Sequence, residues 1–111
     1  MPNFNQVLLM GHLTRDVDFK YSTTGTAIAN FGIAVNSGTK DKPEVYFGEC
    51  VAFGKTAEFI SKYFSKGAAI FIEGRLKLEQ WEDKNTGKKQ SKTRIIAERV
   101  DLLTRTDKGD A

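Results

Sequence analysis

The sequence is poor in cysteine and histidine, with one residue of each among its 111. Cys50 has no second cysteine with which to form an internal disulfide, so the fold is not expected to depend on covalent cross-links. It lies in an apolar run and is predicted to be a small buried hydrophobic residue. His12 alone cannot build a zinc site with Cys50, and it has no Ser or Cys partner in a pattern typical of nucleophilic catalysis. We therefore expect no metal and no other cofactor.

Long hydrophobic runs are also lacking. The chain has no stretch of about 18 or more apolar residues, the minimum for a membrane-spanning helix. Residues 1–5 carry no basic segment leading into an apolar one, so no secretory signal is expected. The lone cysteine fits a reducing compartment, and we expect a cytoplasmic protein that does not enter a membrane.

Glycine-rich phosphate-binding motifs are missing as well. Gly54-Lys55-Thr56 imitates the end of a Walker loop, but Glu49 stands where that motif requires its first glycine. No arrangement of acid, base and nucleophile is readable elsewhere in the chain. The sequence therefore predicts a protein that is not an enzyme.

The composition that remains is that of one soluble globular domain with a basic bias. Forty per cent of the residues are hydrophobic and 28% are charged, which suits a single domain of this length. The 17 Lys and Arg residues outnumber the 14 Asp and Glu residues, giving a net charge of +3. So small a charge indicates an anionic partner only weakly, because many intracellular proteins are basic without binding nucleic acid.

Alternating apolar residues predict an all-β fold with one helix. The predicted strands cover residues 7–13 (with 16–21 as an extended continuation), 27–36, 45–53, 69–81 and 90–103, and the helix covers 56–66. Polar loops occupy 37–44 and 82–89. Five strands with a helix between the third and the fourth are typical of the OB fold, a Greek-key barrel that the helix would plug at one end. We predict an OB domain over residues 1–104 and a short polar tail over 105–111.

Single residues are expected to shape the ends of these elements. Gly11 inside the first strand predicts a bulge or a sharp bend. Thr56 is predicted to cap the helix with Glu58 in its first turn, and Gly67 to end it. In the hairpin loop, Asn85 and Gly87 are expected to take positive φ. The helix is predicted to bury one apolar stripe, made of Phe59, Ile60, Tyr63 and Phe64.

Aromatic and cationic residues are predicted to share one surface. Phe47 and Phe53 lie six residues apart in the third strand and point the same way, and Trp81 ends the fourth strand on a face that is otherwise charged. Single-stranded nucleic acid requires this mixture, because unstacked bases stack on aromatic rings while phosphates attract mobile cations. The predicted DNA-binding residues are Phe47, Phe53, Trp81, Arg75, Lys77, Lys84, Lys88, Lys89, Lys92 and Arg94.

Each of these features has a second interpretation. Phe47 and Phe53 are alternatively ordinary barrel core, with Cys50 and Ala52 outside. Trp81 is alternatively a subunit contact or a lid over the core. The lysine run is alternatively a solvated hairpin. The coincidence of all three features on one face of a predicted OB barrel favours the nucleic-acid interpretation.

Several blocks of sequence, in a fixed order and spacing, carry a resemblance over residues 5–103. They are Asn5, Val7, Leu9, Gly11, Leu13 and Asp16, then Ala29-Asn30-Phe31 with Ile33-Ala34-Val35, Val51-Ala52-Phe53-Gly54-Lys55 with Ala57-Glu58, Lys66-Gly67 with Ile70-Phe71-Ile72-Glu73-Gly74-Arg75-Leu76, and Trp81-Glu82-Asp83. Together they resemble the bacterial single-stranded DNA-binding protein family, which has phage, plasmid and mitochondrial members.

The resemblance implies an OB fold, usually assembled as a homotetramer, with a dimer as the other arrangement. It implies sequence-independent binding and protection of single-stranded DNA in replication, recombination and repair. It also implies that Phe53 and Trp81 stack bases. Phe47 stands where many relatives have tryptophan and is expected to do the same with a smaller ring.

Three features depart from the family's pattern. The loop over residues 37–44 has no aromatic residue, whereas many relatives carry a stacking tryptophan there. Gly48-Glu49 replaces a polar and basic pair. Cellular members end in an acidic, hydrophobic tip that recruits other proteins, whereas this sequence stops at Ala111 without one, so recruitment of replication and repair proteins is not expected.

The alternative function is an OB module that docks proteins of the replication machinery and binds nucleic acid weakly. The missing loop aromatic motivates it. An RNA chaperone of the cold-shock type is less favoured, because the chain lacks closely spaced aromatic RNA-binding motifs.

Overall fold

The computed structural model describes residues 3–103, which form six strands and one helix. The elements are β1 Val7–Leu13, β2 Asp18–Tyr21, β3 Ala27–Gly38, β4 Pro43–Phe53, α1 Gly54–Tyr63, β5 Ala69–Glu82 and β6 Lys89–Leu102. The predicted tail over 105–111, and the domain boundary at 104, lie outside the described residues.

Five of the strands close into a barrel, which confirms the predicted OB fold. The order β1-β5-β6-β4-β3 is completed by the pairing of β1 with β3 at His12↔Ala34 and Leu13↔Ile33. All neighbours are antiparallel except β4 and β6. β2 continues along the edge of β3 on which β1 closes the barrel, since β1 pairs there with residues 33–34 and β2 with residues 27–30. The extended continuation predicted over 16–21 is therefore present as a strand over 18–21, after a short interruption at residues 14–17.

The barrel is filled by the inward-facing half of each strand. Phe31, Ile33, Ile70, Ile72 and Ile95 are at most 1% exposed. In β4 the inward residues are small and buried, namely Gly48, Cys50 and Ala52. The interpretation that put Cys50 and Ala52 outside is therefore wrong. Burial raises the pKa of the Cys50 thiol to about 12, as expected for a buried hydrophobic residue.

The start of helix α1 differs from the prediction. Gly54 adopts a φ of 64°, which lets the chain pass from β4 into the helix without a linker. Phe53 therefore takes the N-cap position without a side-chain cap. Thr56 already lies inside the helix, where its hydroxyl donates to Glu98 O at 3.4 Å. Glu58 consequently falls beyond the first turn, so both the predicted cap and the predicted first-turn charge are wrong.

The helix also ends earlier than predicted, and only half of its predicted apolar stripe is buried. Phe64 leaves the helical conformation and places its ring in the core, 5% exposed, while Gly67 lies in the turn beyond. Ile60 joins the core and the helix plugs the barrel as expected. Phe59 and Tyr63 are 38% and 52% exposed, because each lies about 100° around the helix from Ile60 or Phe64.

The β3–β4 hairpin is longer than predicted. Its pairing continues to Gly38↔Pro43, so the predicted loop over 37–44 shrinks to residues 39–42. Gly38 takes a φ of 88° at this turn. In the β5–β6 hairpin only Gly87 has positive φ, whereas Asn85 N–H donates a turn hydrogen bond to Asp83 Oδ1 at 2.8 Å.

A bulge divides β5 into two halves with different neighbours. Glu73 pairs with Arg99 and Gly74 with Ala97, which leaves Glu98 unpaired. The pairing of β1 with β5 ends at Val7↔Gly74. Beyond that point residues 75–94 form a two-stranded extension of the barrel, which we call the arm. At Gly11, where a bulge or a sharp bend was predicted, the β1–β5 register runs without a shift from Val7 to His12, so no bulge is present there. Gly11 lies next to the residues of β1 that pair with β3, and Ala34 O occupies the position that a Cβ of residue 11 would take.

Candidate nucleic-acid interface

The outward half of β4 carries the two predicted phenylalanines. Phe47, near the middle of β4, is 70% exposed, and Phe53, the last residue of the strand, is 46% exposed. Between them, Val51 is directly paired with Ile96 of β6, and these two side chains are 5% and 7% exposed. β4 therefore presents two exposed rings separated by an apolar floor that continues onto β6.

The arm continues this surface on the other side of the floor. Directly paired residues of antiparallel strands share a face, and Arg75 pairs with Ile96. The same face of the arm therefore carries Arg75, Lys77, Glu79 and Trp81 from β5 and Gln90, Lys92 and Arg94 from β6. We call this surface, from Phe47 and Phe53 on β4 to Trp81 on the arm, the outer face.

Trp81 lies at the far end of the arm beside an open groove. Its side chain is 49% exposed and it pairs with Gln90. The groove has a volume of about 450 Å³ and is lined by Gln80, Trp81, Glu82, Lys89, Gln90 and Ser91. A half-exposed indole next to open space leaves room for a flat ring against its face.

Several cations of the outer face are already paired with carboxylates. Arg75 Nε donates to Glu98 Oε2 at 3.1 Å, and Glu98 is the residue that the bulge sets apart. Arg94 Nε lies 3.3 Å from Glu79 Oε1, but its N–H is not aligned with that oxygen to form a hydrogen bond. Both pairs are exposed by roughly a third to a half, so each contributes at most about 1 kcal/mol to stability.

A third ion pair joins the loop after β1 to the centre of β4. The two terminal nitrogens of the Arg15 guanidinium each donate a hydrogen bond to the Glu49 carboxylate, at 2.9 Å and 3.1 Å. This contact lowers the pKa of Glu49, and the positive charges of Lys92 and Arg94 lower it further. The depressed pKa means that the pair stabilises the fold above the pKa of the unfolded carboxyl, and that this contribution is lost as the pH falls through the lower folded value. It also shows that Glu49 lies in the field of the arm's cations.

Neither a metal site nor a membrane span is present among residues 3–103. No group of three or more His, Cys, Asp and Glu side chains comes together there. The one helix in that range has ten residues, too few to cross a bilayer.

Comparison with known sequences settles the family. The Single-strand binding protein family model matches residues 4–103. The chain belongs to this family. It is 44% identical over 105 residues to the single-stranded DNA-binding protein of Wolinella succinogenes, a match that covers 90% of this chain and 64% of the relative.

Further relatives give the same result. A single-stranded DNA-binding protein of Helicobacter hepaticus is 40% identical over 112 residues, which cover 96% of this chain and 65% of that protein. Single-stranded DNA-binding protein 1 of a Synechocystis species is 42% identical over 101 residues, covering 89% and 83%. The chain spans a little under two thirds of the length of the first two relatives.

In this member of the family, the predicted lysines are distributed over three places. Lys77 and Lys92 lie on the outer face. Lys84 and Lys88 lie in the turn at the tip of the arm, where Asp83 N–H donates to Lys88 O. Lys89 pairs with Glu82 on the opposite side of the arm, although it still lines the groove beside Trp81.

One cation that reaches the outer face was not predicted. Arg15 lies in a loop 34 residues from Glu49 in sequence, yet its side chain reaches the outer face. No local pattern indicates this contact, because it depends on where β1 ends against β3. The one available signal was Glu49 itself. An acidic residue on a strand face predicted to bind phosphates indicates that a nearby cation pairs with it.

Proposed function

We propose that this protein binds single-stranded DNA without sequence preference, on the outer face. The observation that carries the proposal is the exposure of three aromatic rings, Phe47, Phe53 and Trp81, on a surface flanked by cations in a member of the Single-strand binding protein family. Exposed rings are costly in water, and each offers a base a flat apolar partner whatever its identity.

The mechanism follows from the order of these groups. Bases stack on Phe47, Phe53 and Trp81, which we take as the three platforms, and each stack contributes about 1–3 kcal/mol. Phosphates lie against Lys77 and Lys92 of the arm, and their counterions are released on binding. The lysines at 84, 88 and 89 attract the strand where it leaves the arm, while Arg75 and Arg94 reach phosphates only by exchanging a carboxylate partner for them.

The proposed role involves no chemical step, since the family consists of non-catalytic DNA-binding proteins. Coating of exposed strands protects them and removes secondary structure during replication, recombination and repair. We place this work in the bacterial cytoplasm, or in a phage-infected host, where such strands arise.

We also propose that the protein acts as a homo-oligomer, a tetramer in preference to a dimer. Between Val7 and Gly11, β1 pairs only with β5, so its other edge is open to a strand of a second copy. On the same strand Leu8 and Met10 are 60% and 59% exposed, and Met10 pairs with Phe71. An open edge beside exposed apolar residues suits an isologous contact.

Titration with oligo(dT) tests the binding proposal. Trp81 is the only tryptophan, so its emission reports directly on stacking at the arm. We expect strong quenching and an affinity that falls as salt rises. In a labelled-oligonucleotide assay, Trp81→Ala should weaken binding by about 1–3 kcal/mol while circular dichroism shows an unchanged fold.

Phe4→Ala is the matched control, because Phe4 is 88% exposed and belongs neither to β4 nor to the arm. Equal affinity of the wild type and Trp81→Ala, or no quenching at low salt, would count against the proposal. An intact protein that ignored oligo(dT) would instead fit the alternative, an OB module that docks replication proteins.

A further inference from the structure

A second groove lies between helix α1 and strand β6, away from Trp81. It has a volume of about 260 Å³ and is lined by Lys55, Thr56, Phe59, Glu98, Arg99 and Val100. Thr56 connects its two walls through the hydrogen bond to Glu98 O. The groove is therefore fixed in shape by the helix on one side and by the bulge of β6 on the other.

One wall of this groove is aromatic. Phe59 is 38% exposed, and its ring lies 5.0 Å from that of Tyr63, which is 52% exposed. The inner edge of Phe59 contacts Phe64 of the core at 5.8 Å between ring centroids. Phe59 is therefore held in place from behind while part of its ring stays open to a ligand.

The other groups of the groove favour an anion. Lys55 and Arg99 form no ion pair or hydrogen bond through their side chains with any residue between 3 and 103. The one carboxylate, Glu98, is already engaged by Arg75 at 3.1 Å. The uncompensated charge of the groove is therefore positive.

The groove joins the outer face at two points. Phe53, at the end of β4, is the N-cap residue of α1, and Lys55 and Phe59 follow it on the helix, four residues apart on one side. Glu98 lines the groove and also binds Arg75 on the arm. A strand that passes over Phe53 therefore next meets the start of the helix that carries Lys55 and Phe59.

We propose that the groove is a further nucleotide subsite, in which a base stacks on Phe59 and the adjoining phosphate lies between Lys55 and Arg99. The inference rests on the proposed single-stranded DNA binding and extends its path from β4 over the helix. The ligand is a nucleotide of the same strand. An aromatic wall matches its base, and two cations that lack an ion-pair partner match its phosphate.

The test is a series of oligo(dT) lengths, from about 4 to about 20 nucleotides, titrated against wild type and Phe59→Leu. Leucine retains apolar packing against Phe64 but has no π face, so the fold should survive. Short oligonucleotides that occupy only the outer face should bind both proteins equally. Beyond the length that reaches the groove, Phe59→Leu should bind roughly tenfold more weakly, and its affinity should stop rising at a shorter length.

Arg99→Gln examines the phosphate contact separately. For long oligonucleotides it should reduce the slope of log affinity against log salt by about 0.7, the value for one phosphate on a single strand. Phe4→Ala serves again as the aromatic control and should match the wild type at every length.

The outcomes separate this inference from the proposed function. Normal binding by Phe59→Leu at all lengths overturns the subsite and leaves the outer face intact. Equal weakening at all lengths also overturns it, since the groove would then not be a distinct part of the path. Failure of the wild type to bind any length overturns the proposed function itself.

Discussion

Glu49 is the residue that most limits the outer face as a surface for an anion. It lies between Phe47 and Phe53 on β4, and its carboxylate engages Arg15 with two hydrogen bonds. The pair removes one cation from use and leaves negative charge where phosphates would pass. Because both side chains are about 40% exposed, the pair adds little stability, so its main effect is on charge.

Replacement of Glu49 by glutamine should therefore strengthen binding. Glu49→Gln frees Arg15 for a phosphate, and we expect an affinity several-fold to about tenfold higher at low salt, with a salt slope steeper by about 0.7. Salt-dependent titration with oligo(dT) measures both. Glu44→Gln makes the same change of charge at the hairpin end of β4, where Glu44 pairs with Ser37, and an equal gain there would show that only net charge matters.

For single residues, the sequence predicted which side chains of a strand share a face better than it predicted which side chains contact each other across the fold. Alternation along β4 placed Phe47 and Phe53 on one face but left open whether that face was core or surface. The structure turns the rings outward and buries the small residues Gly48, Cys50 and Ala52. The Arg15–Glu49 contact could not be read from local pattern, since it joins residues brought together only by the closed barrel. The exposure of Phe59 was missed because the pairs Phe59–Tyr63 and Ile60–Phe64 were assigned to a single buried stripe. Two such i, i+4 pairs cover more than one side of a helix, so only one of them faces the core.

The arm is the element on which the proposed function depends most. It carries Trp81 and most of the cations, yet beyond Gly74 its β5 strand pairs only with β6. A two-stranded ribbon is weakly stable alone. Asn5 supports its base, donating from Nδ2 to Leu76 O at 2.8 Å and accepting at Oδ1 from Leu76 N–H at 3.0 Å, so one side chain replaces the missing strand.

Asn5→Ala should loosen the arm without unfolding the barrel. Loss of two hydrogen bonds at the base of the arm is expected to cost about 1–2 kcal/mol of local stability. Hydrogen exchange should accelerate from Leu76 to the tip and stay unchanged in β3. Asn85→Ala, at the tip, removes an amide side chain that forms no hydrogen bond within residues 3–103 and should leave exchange at Leu76 unaltered; equal acceleration in both variants would contradict this role.

The existence of the arm was predictable, but its separation from the barrel was not. Residues 69–81 and 90–103 read as one long hairpin by alternation. The bulge at Glu98 was not predicted, although the isolated glycine opposite it, Gly74, was an available signal. Gly74 is required there because Ile96 O lies where a Cβ would be. Strand ends were missed by a few residues where hairpin pairing extended into polar sequence, as at Gly38↔Pro43.

The whole molecule presents two separate surfaces. The outer face occupies β4 and the arm, whereas Leu8 and Met10 lie on β1, beside the first half of β5. Self-association through β1 would therefore leave the outer face accessible in every subunit. This arrangement allows one strand of DNA to contact several copies in succession.

Charge introduced on β1 should dissociate the oligomer. The double change Leu8→Glu and Met10→Glu places like charges against each other across the proposed isologous contact, so the mass in solution should fall towards that of one chain. Sedimentation or light scattering at several concentrations measures this. Leu78→Glu, which alters a similarly exposed leucine on the arm, should keep the wild-type mass, and dissociation by that variant alone would place the contact elsewhere.

The parallel contact between β4 and β6 has a consequence for the order in which the chain folds. It consists of two residue pairs, Cys50↔Ile95 and Val51↔Ile96, whereas the antiparallel hairpins on either side are long and local. Hairpins form in about 1–10 μs. The parallel contact joins residues roughly 45 positions apart, so its formation costs more loop-closure entropy than that of either hairpin and is slower. We therefore expect the two hairpins to form first and the barrel to close later, through slower contacts that include Val51 with Ile96, the floor between the aromatic rings, and the still longer-range pairing of β1 with β5.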